Sequence, residues 1–327
     1  MRVLVTGVSG FIGEHIAKHL LEQGHKVRGA SRWLDFFFLK EEKYEHVTIQ
    51  DPFSKKAWRE ITSEVNAVVH LIAKTHTQES GSLSDLSEYR HINVDITKAL
   101  FEASWKAGVK RFVYMSSIKA VGEETAPGEA FAEDSPCHPA APCGITKREA
   151  EETVLKYRGK MSTAILRAPL VYGPGVKGNF LRLMALAKKG IRLPIGGIDN
   201  QRSYLYVRNL ADGLIQILQG DERSDGIFHV ADRTPVSTPY LYSMLLKDFG
   251  KDSGLLNIPE GIVRRAAALA GKGPDFRKLA GSLVVSSQKF RKTFDWKEPF
   301  SFEEGLEKTC RWYKAGGYDQ DEKRYGS

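Results

Sequence analysis

A strand that ends in glycines and runs straight into a helix leaves a chain few ways to fold. Arg2-Val-Leu-Val-Thr6 is a short apolar run that breaks into Gly7-Val-Ser-Gly10-Phe-Ile-Gly13, after which Ile16, Ala17, Leu20 and Leu21 recur at helical spacing. Glycines at such a turn let backbone N–H groups approach a pyrophosphate, and the positive end of the helix favours the anion. Gly7, Gly10, Phe11, Ile12 and Gly13 are therefore candidate dinucleotide contacts. The triplet alone would be weak, but a strand precedes it and an amphipathic helix follows, as the motif requires. The competing reading is a strand–helix turn that holds no ligand.

The pattern then repeats. Lys26–Ser31, Val47–Gln50 and Ala67–Ala73 read as the second, third and fourth strands, and Leu86–Ala107 as a long helix. Arg111–Ser116 is a fifth strand, Lys147–Tyr157 a helix, and Thr163–Arg167 a sixth strand. This alternation predicts an α/β fold, a Rossmann-like doubly wound parallel sheet with helices on both faces and its crevice at the carboxyl ends of the strands. Beyond Pro169 the elements shorten around Gly173-Pro-Gly175, Gly196-Gly197 and Pro235. Residues 1–168 are read as the dinucleotide-binding domain and 169–327 as mainly a smaller substrate-binding lobe, with about 200–220 (Tyr204–Gln219) returning to the sheet. The aromatic cluster Trp33-Leu-Asp-Phe-Phe-Phe-Leu39 is expected in the core, with an adenine-edge contact as the alternative.

Charge and composition narrow the partners. The net charge of +8, from 48 basic and 40 acidic residues, includes no basic tract interleaved with aromatics, so a phosphate-bearing small ligand is expected rather than nucleic acid. No apolar stretch has the length of a bilayer span, and the first strand is too short for a secretion signal, so no membrane partner and a cytoplasmic location are expected. Cys137, Cys143 and Cys310 have neither disulfide nor metal spacing, and no metal is expected. His70 and His76 are read as packing or crevice-rim residues.

The order of motifs resembles the extended short-chain dehydrogenase/reductase family, in its nucleotide-sugar epimerase and 4-ketoreductase branch. The matching segments are Thr6–Gly13, His70-Leu-Ile-Ala73, Asn93-Val94, Ser116-Ser117, Pro142-Cys-Gly-Ile-Thr-Lys147, Arg202–Val207, Asn209–Asp212 and the C-terminal Asp295–Tyr313. The family sets a Ser or Thr at the end of the fifth strand and a Tyr-x-x-x-Lys on the next helix. Residues four apart share a helix face, and the lysine charge stabilises a phenolate that serves as base. Ser117 and Lys147 stand at the implied positions, and Cys143 stands where the tyrosine belongs. A thiol has a lower reference pKa than a phenol, so charge is expected to be no obstacle. Reach is, because sulfur ends one bond beyond Cβ. Three explanations compete: an engineered substitution meant to trap a ligand, a natural variant that uses water or His138 as the acid, and a protein that has lost catalysis.

The resemblance implies further contacts. Ser31-Arg32 after the second strand replaces the acidic residue that would bind the ribose of NAD and is expected to accommodate a 2′-phosphate, with Arg28 assisting, so the cofactor reading is NAD or NADP. Asp51, Leu71, Ala73, Asn93 and Lys147 are implied as further cofactor contacts. Ser117, Asn179, Leu193, Ile195 and Arg202 are implied as substrate contacts, the arginine suited to a diphosphate, while Arg277 and Lys278 offer a second phosphate contact. Bland roles compete for several: a turn aspartate at Asp51, a helix cap at Asn179 and a surface ion pair at Arg202. The implied activity is NAD(P)-dependent chemistry at C4 of a UDP-hexose or UDP-N-acetylhexosamine. A UDP-sugar 4-epimerase is the first reading, an NADPH-dependent UDP-4-keto-sugar reductase the second, and a non-catalytic dinucleotide or UDP-sugar binder the third. A homodimer through the two long helices is the family's implication for assembly.

Overall fold

A computed structural model describes residues 1–33, 40–75, 83–157, 159–221 and 224–317. Its first half runs β1 (Arg2–Thr6), α1 (Phe11–Glu22), β2 (Lys26–Ser31), β3 (Tyr44–Thr48), α2 (Lys55–Ile61), β4 (Ala67–His70), α3 (Leu83–Arg90), α4 (Ile96–Lys106), β5 (Arg111–Ser117), α5 (Pro142–Leu155) and β6 (Ser162–Ala168). There follow β7 (Leu170–Tyr172), α6 (Gly178–Lys188), β8 (Tyr204–Tyr206), α7 (Val207–Gln219), β9 (Gly226–His229), α8 (Thr238–Asp248), α9 (Glu260–Leu269), α10 (Gly273–Ala280), α11 (Gln288–Phe294) and α12 (Phe302–Lys314).

Seven parallel strands form the main sheet in the order β3-β2-β1-β4-β5-β6-β9. Strand alternation divides its apolar residues between two layers. Val3, Val5, Val69, Val113 and Leu166 face α1, α7 and α11, while Leu4, Val68, Phe112 and Ile165 face α2, α4 and α5. Order reverses between β1 and β4, which opens a crevice beyond their carboxyl ends. A separate core, built on α6, α8 and α12 with β7 and β8, fills the smaller lobe.

Several boundaries differ from the sequence reading. β3 starts at Tyr44, because Tyr44 pairs with Val27, and β4 stops at His70. The helix expected over Leu86–Ala107 is two α-helices joined by a π turn over His91–Asp95. α5 begins at Pro142, whose missing N–H costs nothing in a first turn. The seventh strand, four residues that begin on Gly226 at φ +124°, had too little alternation to read. Of the Tyr204–Gln219 segment, β8 pairs with β7 in a second small sheet, and it is α7 that packs on the main sheet. Trp33 is 74% exposed, so it is not a core residue; Leu34–Leu39 and His76 lie outside the described residues.

One buried carboxyl ties the lobe to the sheet. Asp232 accepts hydrogen bonds from Asn209 Nδ2 (2.8 Å), Tyr206 N (3.0 Å) and Tyr172 Oη (3.4 Å). Burial raises its pKa to about 7 even though these donors pull it down. A carboxyl whose folded pKa lies above its unfolded value binds more protons when folded, so it stabilises most at low pH. Stability is therefore expected to decline as pH rises from about 4 to about 7. Asp232→Asn keeps an amide in place and should flatten that decline; urea melts at a series of pH values measure it, and an unchanged slope would refute the assignment.

Candidate active site

The glycine turn is built for close approach. Gly7 has φ +71°, and a Cβ on Gly13 would lie 2.8 Å from Val8 Cα and press on the Gly7 carbonyl. Gly10 is the N-cap of α1 and supplies no side-chain cap, so the first-turn N–H groups of Phe11, Ile12 and Gly13 point outward without one. That is a cradle of backbone donors at the positive end of a helix, and it fits a dinucleotide pyrophosphate. Gly13→Val is expected to cost at least about tenfold in dinucleotide affinity, since a 1 Å displacement of the turn misaligns all three donors. Isothermal titration with NAD measures it, and full affinity would show that the turn is not the anion site.

β4 closes the other side. Leu71 N donates to Thr6 Oγ1 (3.2 Å), Thr6 Oγ1 bonds His70 Nδ1 (2.8 Å), and His70 Nε2 bonds Thr97 Oγ1 (2.9 Å), which donates to the Asn93 carbonyl. Burial, then the charge of Lys147, lowers the His70 pKa to about 3, so the ring is neutral and Nε2 carries its proton. His70 is thus the packing residue expected from sequence. Asn93 is fully buried in the π turn, with Oδ1 accepting from Lys74 N (2.7 Å) and Nδ2 donating to Lys74 O (3.1 Å) and Thr146 Oγ1 (2.9 Å). Its amide is therefore spent inside the protein. It orders the segment after β4, which carries Leu71 and Ala73, instead of presenting itself to a ligand.

The implied catalytic residues come from β5 and α5. Ser117 ends β5, and its Oγ accepts from Lys119 N (3.2 Å), which leaves its O–H free to donate. Lys147 is 4% exposed, donates from Nζ to the Met115 carbonyl (2.6 Å) and lies 4.7 Å from the centre of the Tyr114 ring. Burial lowers its pKa to about 8. Cys143, one turn before it in α5, is 9% exposed. Burial pushes the thiol pKa up, beyond what Lys147 and Lys119 restore, which reverses the expectation that charge is no obstacle there. At neutral pH this sulfur is protonated. Lys119 and Glu123 are the other charged groups that act on it, and His138, the acid considered from sequence, is exposed and not among them.

Beneath these residues lies an ion pair that the sequence reading missed. Arg167 donates from Nε to Glu151 Oε1 (2.9 Å) and from Nη2 to Oε2 (2.7 Å), with side chains 1% and 0% exposed. Ser116 Oγ also donates to Glu151 Oε1 (2.5 Å). Glu151 is four residues after Lys147, on the same face of α5. A charged residue inside the otherwise apolar β6 was the available signal, because a buried guanidinium needs a partner.

At the adenosine end, Ser31 Oγ donates to the Trp33 carbonyl (2.6 Å) and Arg32 is exposed. Arg28 does not assist: its guanidinium is held by Glu45 Oε2 (3.0 Å) and by the Ile61 and Ser63 carbonyls. Asp51 Oδ1 accepts from Phe53 N (2.9 Å), a turn role that leaves its second oxygen.

In the lobe, Arg202 is locked by paired backbone bonds with Val236 (both 2.9 Å) and donates from Nη1 to the Gly281 carbonyl. Neighbouring bonds from Leu283 N to Gln201 O and from Thr125 N to Ser282 O join it to the loop after β5. Asn179 is exposed in the first turn of α6, whose N-cap is Lys177, so Asn179 is not the cap. Leu193 is partly buried, but the Ile195 side chain, 2% exposed, belongs to the lobe core, which leaves only its backbone for a ligand. Arg277 and Lys278 lie in the last turn of α10. Among the described residues no cluster of His, Cys, Asp and Glu has the makings of a metal site.

Comparison with known proteins gives the family and the shared fold. Residues 3–231 match the NAD dependent epimerase/dehydratase family. The UDP-glucose 4-epimerase of Vibrio cholerae is 31% identical over 313 residues, 94% of this chain and 94% of that protein. The UDP-glucuronic acid 4-epimerase from Bacillus cereus, solved in complex with NAD, superposes with a TM-score of 0.78 at 20% identity, over 96% of this chain and 99% of that one. The UDP-N-acetylglucosamine 4-epimerase from Bacillus cereus superposes with a TM-score of 0.76 at 21% identity, over 95% and 98%. At those identities the two structures establish the shared fold.

Proposed function

The chain belongs to the NAD dependent epimerase/dehydratase family, and on that premise we propose that it is a UDP-sugar 4-epimerase, acting at C4 of a UDP-hexose or UDP-N-acetylhexosamine. The observation that carries this reading is the pairing of Ser117 at the end of β5 with a buried Lys147 held by the Met115 carbonyl. The first-turn amides of α1 would hold the pyrophosphate of NAD, which when bound supplies a hydride acceptor and donor. Asn93 keeps the wall after β4 in place. The Ser117 hydroxyl donates to the C4 oxygen and orients it, and the Lys147 charge favours the anion that forms when that oxygen's proton leaves. Arg202, anchored on the Gly281 carbonyl, would supply the positive charge that meets the UDP diphosphate. Because burial keeps Cys143 protonated, the thiol does not take the proton of the C4 hydroxyl; a water beside the sugar would carry that proton to solvent.

Two observations favour other readings. Arg32, exposed at the end of β2, suits a 2′-phosphate and hence a reductase that consumes NADPH. The raised Cys143 pKa suits a binder without turnover. Proton NMR of UDP-N-acetylglucosamine with NAD separates them. Galacto-configured product supports the epimerase. Its absence, with NADPH consumed on a UDP-4-keto sugar, supports the reductase, and ligand binding without either supports the binder.

A further inference from the structure

Helix α9 buries none of its residues. Val263 and Ala267 lean against the lobe core from one side. The other side is bare: Ile262 is 60% exposed and Leu269 is 92% exposed, the most of any large apolar side chain among the described residues. Residues 262, 266 and 269 share one face at helical spacing, so these two side chains form a stripe with Ala266 between them. A single exposed leucine needs no explanation, but a stripe left entirely in water does.

The charge around the stripe is one-sided. Residues 260–280 carry Arg264, Arg265, Lys272, Arg277 and Lys278 against Glu260 and Asp275, a net +3 within a chain of net +8. Glu260 is already paired with Arg264 at 3.0 Å. An apolar stripe with Arg265 beside it, in a segment of net positive charge, is the chemistry that seats a helix at the interface of a negatively charged bilayer, where each basic residue near the surface adds attraction.

We infer that α9, with α10 packed beside it, is a docking face for an anionic phospholipid surface. A second copy of this chain is the poorer occupant, because two faces of net +3 repel. The contact is peripheral, since no helix among the described residues is long and apolar enough to cross a membrane. Its location has a consequence. α10 runs into Gly281, whose carbonyl accepts from Arg202 and Asn200, so docking would hold the diphosphate end of the crevice next to the bilayer.

Co-sedimentation of the full chain with phosphatidylglycerol vesicles, and with phosphatidylcholine vesicles for comparison, tests this. Binding is expected to the first and not the second. It should fall by about tenfold in Ile262→Ser/Leu269→Ser, which removes the apolar contact without touching the crevice. Arg264→Glu/Arg265→Glu should abolish it. All four side chains are exposed, so unchanged thermal melts verify that the variants fold. No binding to phosphatidylglycerol, or equal binding by the serine variant, overturns the proposal. So does a dimer, seen by light scattering, that the serine variant loses, because a second copy would then cover the stripe.

Discussion

Glu151→Ala is expected to lower the unfolding free energy by about 3–5 kcal/mol, the cost of leaving a buried charge without its partner. Arg167 is 1% exposed and donates two hydrogen bonds to Glu151, whose Oε1 also accepts from Ser116 Oγ. The remaining neighbours do little for it: His229 Nε2 at 3.5 Å and Cys137 Sγ at 3.7 Å are long contacts. Replacing both partners with methionines of similar volume should recover most of the loss, since neither charge then needs solvation. Denaturant melts of the single and double variants decide the matter. A loss below about 1 kcal/mol in Glu151→Ala would mean that water reaches Arg167, and that the platform under β5 and α5 is not dry.

Cys143→Tyr is expected to raise turnover of a UDP-sugar by at least about a hundredfold, the usual contribution of a positioned acid–base group. Position 143 is one helical turn before Lys147, and the site around it already holds a lysine charge and a free serine hydroxyl. The thiol present there fails on two counts. It ends short, and burial keeps it protonated. A phenol at the same Cα reaches farther and is stabilised as phenolate by the same Lys147. Initial rates of the two proteins under matched conditions check this. Equal rates would place the acid–base work elsewhere, and Glu123, which acts on the charge of Cys143, would become the group to replace next.

The parts of this molecule fixed by periodicity were open to sequence reading, and the parts fixed by tertiary partners were not. Six strands alternating with helices, and a glycine turn needing φ +71° at Gly7, announce themselves along the chain. β9 does not, because four residues give little alternation and its place is set by β6 beside it. The same division holds in the site. Ser117 and Lys147 follow from motif order, whereas the fate of each candidate side chain depends on neighbours distant in sequence. Asn93 is spent on Lys74 and Thr146, Arg28 on Glu45, and Ile195 on the lobe core. The Cys143 pKa reversed direction for the same reason: a reference value ignores desolvation, and here desolvation outweighs the lysine.

The central claim, that this crevice removes and returns hydride at C4 of a UDP-sugar, is tested most directly with UDP-N-acetylglucosamine deuterated at C4, incubated with NAD and the Cys143→Tyr protein. Galacto-configured product that keeps its deuterium at C4 is the predicted result. Product that has exchanged deuterium for solvent hydrogen, or no epimer at all from a protein that binds both ligands, would contradict it.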